Sequence, residues 1–280
     1  LKDDTLIGGL EIPFWGNDIH KYGTKFILKF INDSWKNILT CVPLSFLSQQ
    51  KNSNFGLASN NEDGRFLALE KHKLALDKIK FVADYFGKNI FHSICIASGP
   101  YSGKSHQYSN RDSFQKSLDE LCSWDWLGTK IVVEHCDSAK NGEFEKGFLN
   151  IDDEIYAVKR LKENYKINFS LNWARSAIEG RSPNHVLEHI EILKKNGLLN
   201  GFIFSGTSEK DLIYGDWKDN HMPFNKVYDV ENYEKNSLLT YDNIKNTLKC
   251  LSKSEIEYMG IKILSLPLED FNLEKRINLN

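Results

Sequence analysis

Seven short apolar runs, at Ile7, Ile38, Ile90, Ile131, Ile167, Phe202 and Ile261, are separated by segments most of which carry helical periodicity. Strands spaced this way cannot be joined by tight hairpins, so they pair in parallel through helical crossovers. The pattern is that of an α/β protein, not of separate all-helix and all-strand parts. A closed (β/α)8 barrel takes eight strands, and the expectation is such a barrel with its first strand preceding Leu1. An open doubly wound sheet would use seven strands as they stand, but the first strand-to-helix turn lacks Gly-x-Gly-x-x-Gly. At 280 residues the chain has the length of one barrel domain spanning 1–280. Two long loops, 44–64 and 207–233, interrupt it and read as lids, binding segments or plain surface excursions.

The clearest helix is Arg65 to Phe86. Leu69, Leu76, Ile79, Ala83 and Phe86 recur on one face, leaving Lys73, Asp77, Lys80 and Asp84 for water. Gly87 ends it. Ser182-Pro183 opens another helix, with serine as cap, proline at the first helical position and Val186, Ile190 and Leu193 as the buried stripe. Asn37 to Pro43 reads as a strand closed by its proline, and Ile261 to Leu266 as the last strand.

The run Ile131 to Ser138 is the most informative for function, because Glu134, His135 and Asp137 begin abruptly where an apolar strand ends. Ligands of α/β folds sit at that end of the strands. Alternation points Glu134 and Cys136 one way, His135 and Asp137 the other. Glu11, Asn172 and Arg175 lie at or near other strand ends, and the loop carrying Trp217, His221 and Phe224 could fold over a sugar ring. Each has a plainer reading. Glu134 could seal the strand ends with an ion pair, Glu11 could tether its own loop, and Arg175 could pair with Glu179 one helical turn on. His92 lies early in its strand, where a buried imidazole bonded to backbone competes with a substrate contact. The loop aromatics could pack down their own loop or form a subunit contact.

Five cysteines without a Cys-x-x-Cys pair suit the reduced thiols of a cytoplasmic protein. Cys95 and Cys136 with a nearby histidine read first as buried structural thiols. A net charge of -2 gives no general field for nucleic acid or an anionic membrane. No apolar run is long enough to span a bilayer as a helix.

Gly9-Leu10-Glu11-Ile12 and Ile131-Val-Val-Glu134 carry a resemblance. They are similar to the Gly-x-Glu motif on the second strand and the glutamate-bearing fifth strand of the xylose-isomerase-like TIM barrels. That superfamily includes sugar isomerases and epimerases and an endonuclease acting at abasic sites. The resemblance implies one divalent metal ion (manganese, magnesium or zinc) held by Glu134, Asn172 and Glu269, with glutamates moving a proton beside a carbonyl. The sequence departs from the family where an aspartate and, three residues on, a histidine are usual: here stand Asn172 and Arg175. Its seventh strand, Phe202 to Gly206, has no histidine. Arginine would repel a cation but clamp a carboxylate or phosphate, so a metal-free site is the other expectation.

The leading function is an isomerase, epimerase or lyase acting on a small sugar or polyol, including a sugar acid or phosphate. Glu134, Glu11 and His221 are its candidate acid–base groups, and Asn172, Arg175, His92 and Trp217 its candidate substrate contacts. A non-catalytic carbohydrate-binding or scaffold protein is the alternative. Assembly as a homo-oligomer is compatible with either, and a nuclease would want a basic groove that is absent.

Overall fold

The computed structural model describes residues 7–103, 107–139, 144–162, 165–226, 233–251 and 256–267. The chain divides into two compact units, Leu1–Glu134 with Gly147–Asn168, and His135–Lys146 with Phe169–Asn280. The first holds strands β1 (Glu11–Pro13), β2 (Asn37–Thr40), β3 (Phe91–Ile96) and β4 (Lys130–Glu134). Its helices are α1 (Thr24–Ile27), α2 (Val42–Gln49), α3 (Glu62–Phe86), α4 (Arg111–Cys122) and α5 (Ile151–Lys159). The second holds β5 (Asn168–Asn172, entering the unit at Phe169), α6 (Trp173–Gly180), α7 (Asn184–Lys195), β6 (Leu199–Phe204), α8 (Tyr241–Cys250) and β7 (Tyr258–Ile261). In each unit the strands run parallel and neighbour one another in chain order. Among the described residues this is the alternating α/β architecture that the apolar runs require, one strand short of a (β/α)8 barrel.

In the first unit, Leu39, Ile94, Val132 and Val133 are buried on the strands, and Leu69, Leu76 and Ile79 bury the stripe of α3. The Asn61 side chain caps α3 by accepting from the Gly64 amide at 2.8 Å, and Gly87 ends it with φ +68°. In the second unit Val186, Ile190 and Leu193 are fully buried on α7, which packs on α6 and α8. Ser182 Oγ accepts from the Asn184 amide at 3.2 Å, ahead of that helix.

Two local expectations change. The stretch 44–64 is not all loop: α2 begins at Val42, with Pro43 in its first turn. Proline there pre-sets the helical φ, so Pro43 starts a helix after β2 has already ended at Thr40. The last strand lies at Tyr258–Ile261, ahead of the apolar run 261–266. Tertiary packing sets that register, because the Tyr258 ring fills the space beside Gly201, where an added Cβ would meet Cζ at 2.1 Å. The stretch 207–233 contains no helix or strand among its described residues, apart from the isolated bridge of Gly206 with Met222.

Candidate functional site

Glu134 ends β4 and is 1% exposed. Thr40 Oγ1, at the end of β2, donates to Glu134 Oε2 at 3.3 Å. Strand register sets Glu11 level with Ile38, Ser93 and Lys130 in turn, four residues before Glu134. At ~3.3 Å per residue that separates the two glutamates by about 13 Å along the strands. His92 is likewise at the start of β3, its Nδ1 2.6 Å from Ser93 Oγ, and Ser98 stands at the end where ligands are expected.

In the second unit the end of β5 is built around Asn172. Its Oδ1 accepts from the amides of Ala174 (3.0 Å) and Arg175 (3.4 Å), capping α6, and from Ser205 Oγ (2.8 Å). An acceptor facing two backbone N–H groups must be the amide oxygen, so the orientation of this side chain is fixed by chemistry. Its Nδ2 is buried and has no hydrogen-bond acceptor among the described residues; Ser170 Oγ, two residues earlier on the same strand face, is in the same condition.

Arg175 does not pair with Glu179. Its Nε donates to Asp219 Oδ2 at 2.8 Å, and Lys146 Nζ donates to the same oxygen at 2.8 Å. His221 Nδ1 lies 3.2 Å from the other carboxylate oxygen, and Glu145 accepts from the Asp219 amide at 2.7 Å. Asp219, Arg175 and Lys146 have side chains 3%, 3% and 6% exposed. Burial alone would raise the Asp219 carboxyl, but Lys146 and Arg175, with His221, outweigh it and hold the group well below the usual carboxylate range. Burial would likewise lower Lys146, and Asp219 reverses that, raising it above an ordinary lysine. Trp217 and His221 both have left-handed backbone, φ 50° and 52°, uncommon for residues with a side chain. The guanidinium of Arg181 lies 5.4 Å from the centre of the Trp217 ring.

A second buried group was not anticipated. Glu179 of α6 receives the Ser138 amide at 2.7 Å and His135 Nε2 at 3.2 Å on Oε2, while His185 Nε2 and His189 Nε2 of α7 lie 3.7 and 3.6 Å from Oε1. Burial raises the Glu179 carboxyl and the three imidazoles lower it further, leaving it ionised; burial pushes His189 down to about 4. The spacing His185-x-x-x-His189 on one helix was the legible signal, since residues four apart share a helix face.

The metal donors implied by the resemblance do not fit as a set. Asn172 has its oxygen committed to the α6 cap and offers an N–H donor, which cannot ligate a cation. Glu269 lies outside the described residues. A divalent ion could instead be held by His135, Glu179 and His189, whose ligand atoms lie within 4.8 Å of one another.

Comparison with known proteins agrees with this fold. The structure of a D-tagatose 3-epimerase-like protein superposes with a TM-score of 0.62 at 13% identity, covering 97% of this chain and 85% of that one. D-psicose 3-epimerase in the presence of D-fructose gives 0.51 at 12% identity, covering 92% and 75%. An AP endonuclease of family 2 from Brucella melitensis gives 0.52 at 16% identity, covering 91% and 82%. These likenesses show a shared α/β barrel fold. An uncharacterised protein of Salmonella typhimurium strain LT2 is 31% identical over 280 residues, covering 100% of this chain and 85% of its own length. None of the described helices is long and apolar enough to cross a membrane. A family model described as Domain of unknown function (DUF4862) matches residues 1–279, and the chain belongs to that family.

Proposed function

We propose that the protein is an isomerase, epimerase or lyase acting on a small sugar or polyol that carries an acidic group. The observation that carries this reading is a pair of fully buried polar groups on β5, Asn172 Nδ2 and Ser170 Oγ, with no hydrogen-bond partner among the described residues. A buried donor left unpaired is destabilising by roughly 1–3 kcal/mol, which the hydroxyl or carbonyl oxygens of a bound polyol would relieve. Arg175 and Lys146 are cations shared with Asp219, with which an acidic substituent would compete, and Trp217 offers a ring face for the sugar. Glu134, at the end of its own strand, is the group we assign to proton transfer. The likeness to a structure of D-psicose 3-epimerase with D-fructose supports a ketose-like ligand. No step in this scheme runs through a metal ion.

The test is solvent exchange in D2O, followed by NMR, over a panel of ketoses, aldonic acids and uronic acids. Deuterium entering one carbon with the wild type and not with Glu134→Gln is the expected result. The second reading, a carbohydrate-binding protein without chemistry, rests on the loss of the family's acidic donor at Asn172. Tight binding of a panel member with no exchange at any carbon would establish it instead.

A further inference from the structure

The group around Glu179 lies outside the scheme above. Strand alternation sends His135 to the face opposite Glu134, and its partners come from α6 and α7, not from strand ends. From this geometry we infer that His135, Glu179 and His189 form a structural site for a zinc-type transition-metal ion.

Four observations carry it. First, the carboxylate–imidazole separations of 3.2, 3.6 and 3.7 Å are mostly too long for hydrogen bonds. His189 Nε2 lies 3.6 Å from Glu179 Oε1 and His135 Nε2 3.2 Å from Oε2, each close to the ~3.3–3.4 Å edge of a tetrahedron with metal–ligand bonds of ~2.0–2.1 Å. Second, His185 Nδ1 lies 2.6 Å from the Glu188 carboxylate and must carry its proton there. Its Nε2 is buried, lies 3.7 Å from Glu179 Oε1 and has no hydrogen-bond partner among the described residues. Third, the outer contacts are those that orient metal-binding imidazoles: Ser176 Oγ lies 3.0 Å from His189 Nδ1, and the Ser138 amide holds Glu179. Fourth, imidazoles with one carboxylate suit zinc and its neighbours, whereas magnesium and calcium take oxygen donors. An ion there would bind the segment after β4 to two helices, as closed structural zinc sites do.

The test uses the full chain, stripped with a chelator, desalted, and titrated separately with zinc and cobalt(II). Expected are one ion bound per chain, the intense visible bands of tetrahedral cobalt, and a higher thermal midpoint with zinc. His189→Gln and Glu179→Gln should abolish the cobalt bands. Ser176→Ala, which leaves every ligand in place, should weaken zinc binding about 10- to 100-fold. Glu134→Gln should bind zinc as the wild type does, which separates this site from the proposed catalytic one. Failure of the wild type to bind zinc or cobalt in excess would overturn the inference and leave an ion network held by protons. So would binding that survives His189→Gln but not Glu134→Gln.

Discussion

Replacing Asp219 by Asn tests whether the charges gathered at the strand ends of the second unit are held by one carboxylate. The substitution keeps the shape and one acceptor oxygen but removes the charge. Two cationic donors, Lys146 Nζ and Arg175 Nε, sit 2.8 Å from the same Asp219 oxygen with all three side chains nearly buried. Removing one partner of a buried ion pair typically destabilises by about 3–5 kcal/mol, because the remaining charge keeps its desolvation penalty. Here two cations share the carboxylate, and Lys146 also lies 3.6 Å from Glu145, so the loss should fall within that range. A domain has only ~5–15 kcal/mol of stability in all. Arg175→Met is the control. It leaves Asp219 paired with Lys146 and should remove about 1.5–3 kcal/mol, the contribution of one hydrogen bond between charged groups. Urea unfolding at neutral pH reads both, as shifts in midpoint at unchanged slope. Raising the ionic strength should leave the ranking unchanged, since buried pairs are poorly screened. A loss under 1 kcal/mol for Asp219→Asn, or one no larger than that of Arg175→Met, would refute the reasoning.

Other outcomes follow from single contacts. His72 of α3 is fully buried with Nδ1 2.7 Å from the Ala68 carbonyl oxygen, and burial pushes it down to about 4 from 6.5. Since the folded value is the lower one, the neutral ring contributes full stability above about pH 6.5. That contribution is lost as pH falls through 4, to a total of about 3 kcal/mol. His72→Gln should flatten the pH dependence of the thermal midpoint by that amount, and an unchanged slope would count against it. Asn61→Ala removes the cap of α3 and should destabilise by about 0.5–2 kcal/mol in the same urea assay. Gly56→Ala should be far worse, because the new Cβ would lie 2.2 Å from the Gly99 carbonyl carbon and oxygen; soluble expression at wild-type stability would contradict that geometry.

What could be read from the chain was local. The stripe of α3, the end of β4 at Glu134 and the alternating order of strands and helices depend on periodicities of a few residues. Arg175 was legible as a cation near a strand end, but its partner was not. Asp219 is 44 residues away, in a stretch without periodicity, and a nearer Glu179 at four-residue spacing looked sufficient. Burial decided otherwise by committing Glu179 to three imidazoles. His189 lies between Val186 and Leu193 on α7, so reading that helix for its apolar stripe hid the histidines that share the buried face. A strand motif fixes which face the Glu11 side chain takes, but not which residues of neighbouring strands it stands beside, which only the register supplies.

The orientation of Asn172 has one more consequence. An aspartate at this position would cap α6 with one oxygen and have a second oxygen to spare, presenting lone pairs to whatever lies beyond. The amide caps equally well and presents hydrogens. A single exchange of oxygen for nitrogen therefore inverts the preference of the end of β5, from electron-poor guests to electron-rich ones, while leaving the backbone it anchors undisturbed. In this chain the residue that caps α6 therefore also sets which polar groups the end of β5 presents.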